Sequence, residues 1–313
     1  MIVKMLKDLV RTRNSLEKPD SAVQFHPSVI TILTPPHTLY LAHLLVKRLC
    51  HLEFMARIHV GEFKSDFQGS LFIVLCPQVF KRVPDSYIAF QMEQAGGYWF
   101  DEDYLDRLRN PEIRILDYSS RNVPYLIRAG IDPKQVGVAQ LCPFWDYASF
   151  LRGQGYLSNA LPEKEYDVLF YGGINERRFH LLSRINDNLR IKVAVGMFGA
   201  PLYDLILKSK TVINFHVNDF SILESTRIFE SLSMNVKVVS ELSEDIEDYS
   251  GLEKFVTFFE VNQSREIDEI IRHLLDEDEI PKVEEMKSYA TATSAQFNDA
   301  VRWAMAELGW IRN

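Results

Sequence analysis

The sequence predicts an α/β protein built from two domains of similar size, with a cleft between them. Apolar strands alternate with helical segments along the first half of the chain, and the same alternation restarts at Asp167. Between the halves, the stretch Pro143 to Glu165 breaks the pattern with Gly153, Gly155 and Pro162. At 313 residues the chain is long enough to bury two hydrophobic cores of ordinary size.

Residues 1–148 are predicted to form the first domain. Short apolar runs rich in β-branched residues identify its strands, and a parallel sheet covered on both faces explains why these runs alternate so little with polar residues. The predicted strands are Val29–Leu33, Ala56–Val60, Leu71–Cys76, Tyr87–Phe90, Ile113–Asp117 and Val136–Leu141. The predicted helical segments are His37–Leu52, Tyr104–Arg109 and Asn122–Ala129.

Residues 149–165 are predicted to be the linker, and residues 166–293 a second domain with its own parallel sheet. Its predicted strands are one that begins at Asp167, then 191–195, Thr211–Phe215, Lys237–Ser240 and Phe255–Phe258. Its predicted helices are 175–188, 202–208, Ile222–Ser233 and 265–275. Residues 294–313 carry an amphipathic pattern, with Trp303 outside the apolar stripe, and this final helix can cross back to the first domain.

Composition limits the classes of partner. The chain has 35 Lys and Arg against 43 Asp and Glu, and a net charge of −8 gives no bulk attraction to nucleic acid. No window approaches the roughly 18–20 apolar residues of a membrane span. The first 20 residues are expected to form a short amphipathic helix with at most peripheral membrane contact. Cys50, Cys76 and Cys142 are expected to be buried free thiols, as in a reducing compartment, so we expect a cytoplasmic protein.

The stretch from Lys208 to Glu241 carries the densest candidate chemistry. Its pattern predicts a strand, a polar loop, a helix and a second strand, which places the helix N-terminus at the carboxyl end of the first strand. Backbone N–H groups and the helix dipole at that point attract an anion such as a diphosphate. Glu224, Arg227 and Glu230 share one helix face, where a guanidinium can clamp phosphate and a carboxylate can accept ribose hydroxyls. A surface ladder of ion pairs has the same spacing.

This stretch resembles the donor-binding domain of GT-B glycosyltransferases, especially bacterial spore-maturation-type and polysaccharide-building enzymes. The matching residues are Lys210, Asn214, Glu224, Arg227 and Glu230. The resemblance implies two Rossmann-like domains with a cleft between them, a nucleotide-sugar donor and a glycan or lipid-linked glycan acceptor. It covers roughly Asp167 to Leu275 well and the first domain only in architecture. In retaining members the two glutamates are further apart than Glu224 and Glu230, so Glu230 is the closer match and corresponds to the ribose-binding glutamate.

Polar residues that follow the other strands of the second domain complete the predicted donor site. Gly172 and Gly173 allow a phosphate or sugar to approach the backbone closely, although two glycines also make a simple tight turn. The loop 195–201 is expected near the nucleotide base, or it is only a turn. The predicted donor-binding residues are Gly172, Gly173, Arg177, Arg178, Lys210, Asn214, His216, Glu224, Arg227 and Glu230.

Three residues at strand ends of the first domain are candidates for the catalytic base. His37 lies at the first strand-to-helix turn, where many inverting GT-B enzymes place a histidine, and its imidazole can take the proton of an acceptor hydroxyl. Its alternative role is that of an ordinary residue at a helix N-terminus. Glu93 ends another strand and is the alternative base, an acceptor ligand, or a group that orients His37. Asp117, at the next strand end, can hold His37 or the acceptor.

No cofactor and no metal site are predicted. Asp101 and Asp103 look like the metal-binding acidic motif of GT-A transferases, but they lead into a helical segment, where acidic residues favour the helix N-terminus anyway. GT-B enzymes generally hold no catalytic metal on such a motif. The charge on the leaving group is therefore expected to be stabilised by cations and by the helix dipole.

The sequence and the resemblance together predict a metal-independent glycosyltransferase of polysaccharide biosynthesis, with a UDP-sugar as the default donor. His37 favours inversion of configuration, whereas the pair Glu224 and Glu230 leans towards retention. One alternative is a GT-B-shaped sugar-nucleotide epimerase, which needs acid and base groups on both faces of the sugar and no acceptor. The other is a non-catalytic sugar-binding protein, which has no use for paired ribose and phosphate ligands. The oligomeric state does not follow from the sequence.

Overall fold

The computed structural model describes residues 29–185, 188–219, 221–260, 267–276 and 283–311. Within these ranges the chain forms a sheet of six strands and a sheet of five strands. Every strand pairing in both sheets is parallel. Because parallel neighbours need crossover connections, helices cover the sheets, and the predicted α/β class with two parallel sheets is confirmed.

The N-terminal sheet has the strand order β2-β1-β3-β4-β5-β6. Its strands are β1 Ile30–Thr34, β2 Ala56–Val60, β3 Leu71–Leu75, β4 Ile88–Gln91, β5 Arg114–Asp117 and β6 Val136–Val138. The helices of this half are α1 Leu39–His51, α2 Glu102–Leu108, α3 Val123–Arg128 and α4 Tyr147–Gly153. Strands β1 and β4 are buried at every position, which explains their continuous apolar runs, while the edge strand β2 is only half-buried.

The C-terminal sheet has the strand order β11-β10-β9-β7-β8. Its strands are β7 Tyr166–Tyr171, β8 Ile191–Ala194, β9 Ser209–Asn214, β10 Lys237–Glu241 and β11 Val256–Phe259. Its helices are α5 Glu176–Leu182, α6 Ala200–Leu207, α7 Ser225–Ser233 and α8 Ile267–Asp276, and the final helix is α9 Val283–Glu307.

Each sheet reverses its winding direction once, between β1 and β3 in the first and between β7 and β9 in the second. In open parallel sheets a ligand binds outside the carboxyl ends of the strands at such a reversal. The reversals therefore locate two binding crevices, one formed by the segments after β1 and β3 and the other by the segments after β7 and β9.

Helix α9 packs against β5 and β6 of the N-terminal sheet. The ring of Phe297 stacks on Phe90 of β4 at 5.9 Å between centroids. The indole of Trp303 lies directly over Gly137 of β6, where a Cβ would come within 2.6 Å of it. The tail of the chain thus contributes to the core of the first half.

Several local expectations differ from the structure. The predicted linker 149–165 begins inside helix α4, because Tyr147 and Leu151 are four residues apart and bury the same helix face. Cys76 and Cys142 are buried, but Cys50 is exposed on the last turn of α1, so the expectation of a third buried thiol was wrong. The amphipathic helix expected over the first 20 residues lies outside the described residues. Among the helices that the structure does describe, none combines the length and apolarity needed to cross a membrane.

Candidate functional site

A cavity of about 350 Å³ lies between the two halves of the molecule. One wall is formed by segments after β1, β3, β4 and β5, and the other by segments after β7 and β8 and by the start of α7. The cavity therefore lies where the carboxyl ends of both sheets meet, as the positions of the two reversals require. After the roles that the sequence predicts for them, we call the C-terminal side the donor wall and the N-terminal side the acceptor wall.

The glycine turn after β7 forms part of the donor wall. Gly172 has φ of 136°, which favours glycine, and a Cβ at this position would collide with the guanidinium of Arg227. At Gly173 a Cβ would meet nothing within 4 Å, so its backbone faces open space beside the cavity. Backbone and guanidinium can therefore approach the same ligand atoms.

Arg227, on the donor wall, is held in place by two partners. Its Nη1 donates to Asn214 Oδ1 and forms an ion pair with Glu224. Its Nε is buried and has no hydrogen-bond partner among the residues that the structure describes. Nη1 of the guanidinium is thus fixed by protein, and Nε retains a donor that none of the described residues uses.

Glu224 lies between two arginines. Arg178 Nη2 donates to Glu224 Oε1 at 2.6 Å, and Arg227 approaches the other oxygen. Burial alone would raise the pKa of Glu224, but Arg227, His216 and Arg178 outweigh it and lower the pKa to about 2. The interpretation of the helix face as a surface ladder is therefore wrong, because Glu224 belongs to an internal charge cluster on the wall of the cavity.

Glu230 is 6% exposed and lines the cavity one turn further along α7. The hydroxyl of Tyr171 donates to its Oε2 at 3.0 Å. Burial raises the pKa of this carboxyl group to about 7, against the opposing effects of Tyr171 and Arg227. A carboxyl group with one protein donor retains free acceptor positions for hydroxyl groups of a ligand.

Five other predicted donor-binding residues do not line the cavity: Asn214, which holds Arg227 as described above, and Arg177, Arg178, His216 and Lys210. Arg177 makes two hydrogen bonds to the fully buried Glu241, at 2.6 and 2.9 Å, and lies on a separate open hollow. Arg178 lies behind the donor wall, where its Nε donates to the carbonyl of Phe215 and its Nη2 donates to Glu224. The imidazole of His216 is buried, with its Nδ1 3.8 Å from Glu224 Oε1.

Lys210 does not reach the donor wall. It lies at the beginning of β9 and pairs with Asp167 at 2.8 Å, whereas the cavity adjoins the carboxyl end of the same sheet. The expectation that Lys210 contacts donor phosphates therefore does not fit its placement. A strand-flanking lysine that pairs with a nearby acid explains the residue.

His37 and Glu93 both line the acceptor wall. The ring of His37, in the turn after β1, is 6.2 Å from the ring of Phe198 across the cleft, and desolvation by the surrounding protein lowers the pKa of its imidazole. Glu93 is half-buried; burial raises its pKa, although Gln78 Nε2 donates to its Oε1 at 2.9 Å. The structure thus brings two of the three candidate bases to one wall.

Asp117 has a different role from the one predicted. It is fully buried and accepts hydrogen bonds from Gln91, from the backbone of Ser119 and from Asn122, at 2.8 to 2.9 Å. Burial raises its pKa to about 7. Because Gln91 and Asn122 also hold the carbonyl of Glu93, Asp117 organises the loop that carries Glu93 and does not hold His37.

Several cavity residues carried no sequence signal that assigned them a role. Tyr171 immediately precedes the glycine turn, and Tyr118 follows β5. Gly196–Gly199, in the loop expected near a base or as a simple turn, also reach the cavity. Position after a strand end was the available signal, and it does not tell which side chain faces the cavity.

Asp101 caps α2, because its side chain accepts from the backbone of Tyr104 at 2.9 Å. Over the part of the chain that the structure describes, no group of three His, Cys, Asp or Glu side chains has the geometry of a metal site.

No protein-family model matches this chain. Among curated proteins, uncharacterized protein L137 of Acanthamoeba polyphaga mimivirus is 29% identical over 144 residues, which is 44% of this chain and 18% of that protein. The match thus spans less than a fifth of that relative.

Among solved structures, WaaG, a glycosyltransferase involved in lipopolysaccharide biosynthesis, matches with a TM-score of 0.51 and 10% identity over 90% of this chain and 100% of that one. Sucrose-phosphate synthase from Thermosynechococcus elongatus matches with a TM-score of 0.51 and 10% identity over 89% of this chain and 99% of that one. The chain has the GT-B fold over nearly its whole length, as the resemblance implied.

Proposed function

We propose that this protein is a glycosyltransferase that moves a sugar from a nucleotide diphosphate to a hydroxyl group of an acceptor. One observation carries the proposal: Arg227, whose buried Nε has no hydrogen-bond partner among the described residues, lines the cavity beside the glycine turn and the carboxyl group of Glu230. The names of the two solved structures with the same fold support the same reaction class.

The donor wall suits the two polar parts of a nucleotide diphosphate. The diphosphate would lie against the backbone at Gly173, the guanidinium of Arg227 and the N-terminus of α7, whose backbone N–H groups and dipole attract an anion. Glu230 would accept hydroxyls of the ribose. The spacing of one helical turn between Arg227 and Glu230 matches the order of diphosphate and ribose in such a donor.

The acceptor would enter from the opposite wall. A base, His37 or Glu93, takes the proton of the acceptor hydroxyl as its oxygen bonds to the anomeric carbon. The bond from that carbon to the diphosphate oxygen breaks, and the nucleotide leaves with the electron pair. The lowered pKa of His37 keeps its imidazole neutral at pH 7, as a base requires, and direct attack of this kind inverts the configuration.

Charge on the leaving diphosphate would be stabilised by Arg227 and by the dipole of α7, without a metal ion or other cofactor. A UDP-sugar is the donor we propose first. A glycan or lipid-linked glycan is the proposed acceptor, as in polysaccharide synthesis.

Titration calorimetry with UDP, GDP, ADP, CMP and dTDP, in the presence of a chelator, tests the donor site. We expect one nucleoside diphosphate to bind, and Arg227→Ala and Glu230→Ala each to weaken it at least about tenfold, because hydrogen bonds to charged groups contribute about 1.5–3 kcal/mol. Arg190→Ala is the matched control, since Arg190 pairs with Asp167 away from the cavity. Absence of binding at millimolar concentration, or variants that bind as the wild type does, would refute the proposal.

A further inference from the structure

A single buried carboxylate joins the two halves of the molecule beside the cavity. Ser119, two residues after the end of β5, donates from its Oγ to Asp245 Oδ2 at 3.0 Å. The other oxygen of Asp245 accepts from the backbone N–H of Leu223 at 2.8 Å. Asp245 and Ser119 are both fully buried, so this bridge is shielded from competing water.

Neighbouring contacts cross the cleft at the same place. Ser120 Oγ donates to Asp248 Oδ2 at 2.6 Å, and Arg121 pairs with Glu247 on the surface. Gln94, in the loop after β4, accepts from the backbone N–H of Ile222 at 3.3 Å. The segment that leads into α7 is thus held by two loops of the opposite domain.

This segment determines where the donor wall lies. Leu223 is followed directly by Glu224, Ser225, Thr226 and Arg227, all of which line the cavity. A shift of Leu223 would therefore move the guanidinium of Arg227 relative to the acceptor wall.

On the acceptor side the bridge continues to Glu93. The backbone N–H of Ser119 donates to Asp117, which also accepts from Asn122. Asn122 in turn donates to the carbonyl of Glu93 at 3.0 Å. An unbroken chain of hydrogen bonds therefore runs from the start of α7, through Asp245, to a candidate base.

We propose that Ser119 and Asp245 are positioning residues that set the distance between donor wall and acceptor wall. This inference rests on the proposed function. The cavity of about 350 Å³ is near the lower end of the roughly 300–1,000 Å³ typical of ligand pockets, as expected for a closed arrangement of the two walls. Closure matters because a reacting pair must be held about 3–3.5 Å apart, and a misplacement of about 1 Å can cost about 100-fold in rate.

The first test compares turnover with donor binding. Ser119→Ala removes the hydrogen bond across the cleft but leaves the hydrogen bond from Leu223 to Asp245. We therefore expect kcat, measured as the rate at which the nucleotide product is released, to fall about tenfold. The Kd for the nucleotide should change less than about twofold. Asp245→Asn keeps an acceptor for Leu223 and a partner for Ser119, and should retain most activity. Asp101→Ala, which removes a cap elsewhere in the first domain, should leave kcat unchanged. An unchanged kcat in Ser119→Ala overturns the proposal.

The second test needs no substrate. Amide hydrogen exchange at Leu223 and in the first turn of α7 should accelerate in Ser119→Ala, although the substitution is in the other domain, and should not change in Asp101→Ala. Unchanged exchange at Leu223 overturns the positioning role whatever the donor. A wild-type protein that binds none of the nucleotides overturns the proposed function, and the exchange experiment still decides whether the bridge holds α7.

Discussion

Glu230 is a buried carboxyl group whose pKa is raised to about 7 by burial, from an ordinary value of 4.5. In the unfolded chain this group ionises near its ordinary value, while in the folded protein it keeps its proton up to about pH 7. The contribution of Glu230 to the free energy of unfolding should therefore fall as the pH rises from about 4.5 to about 7, and then level off. Glu230 thus costs stability at neutral pH, as ligand-binding groups often do.

Glu230→Gln should remove this cost. We expect the variant to unfold at higher urea concentration than the wild type at about pH 8, by on the order of 3 kcal/mol, and the difference to shrink towards about pH 5. Glu112→Gln, on the surface, serves as the control and should show no such pH dependence. A difference between Glu230→Gln and wild type that does not vary with pH would contradict the assigned burial of the charge.

Arg177 was predicted to bind the donor, but its contacts are those of a residue that stabilises the fold. Its ion pair joins Glu241, which is fully buried, so Arg177→Ala leaves an uncompensated buried carboxylate. We expect a loss of up to about 3–5 kcal/mol in the free energy of unfolding, measured by urea denaturation. Nucleotide affinity at low temperature should stay near that of the wild type. An Arg177→Ala variant of unchanged stability but weakened nucleotide binding would restore the role predicted from sequence.

At the scale of elements, helix α7 carries both of the charged side chains proposed to bind the donor. Its nine residues, Ser225–Ser233, bury an apolar side that includes Ile228 and Phe229, while Arg227 and Glu230 line the cavity. The predicted helix began earlier, at Ile222. The observed later start leaves residues 221–224 non-helical, and this lets their backbone N–H groups bond to Asp245 and Gln94 instead of closing a helical turn.

Helix α9 packs against the first domain through the indole of Trp303. Gly137→Ala would place a Cβ 2.6 Å from Trp303 Cζ3, so the ring or the helix must shift. We expect destabilisation of about 1–3 kcal/mol, visible as a lower Tm in calorimetry. Gly153→Ala is the matched control, because a Cβ at Gly153 meets nothing within 4 Å. Equal Tm values for the two variants would show that the contact does not constrain α9.

At the scale of the whole molecule, two parallel sheets present the carboxyl ends of their strands to one cavity. Hydrophobic runs and strand alternation were enough to predict both sheets, because buried parallel strands have a strong local signature. The glycine turn, Arg227, Glu230, His37 and Glu93 were predicted from the sequence and its resemblance to lie at the cleft, and all of them line the cavity; their roles remain predictions.

The remaining features depend on contacts between distant parts of the chain. Arg177 and Arg178 are adjacent in sequence, yet one pairs with Glu241 and the other with Glu224, and local patterns do not specify such partners. Asp117 follows a strand as a catalytic residue would, but its burial became visible only when Gln91 and Asn122 were placed around it. The bridge from Ser119 to Asp245 spans 126 positions, beyond the reach of any periodicity.

A crystal structure of the protein with UDP tests the central claim most directly. The donor site proposed above predicts the diphosphate within hydrogen-bond distance of the guanidinium of Arg227 and the backbone N–H of Gly173, with ribose hydroxyls on Glu230. A diphosphate bound elsewhere, for example at Arg177 in the open hollow, would contradict it. So would an empty cavity in crystals grown at a UDP concentration that saturates the protein in solution.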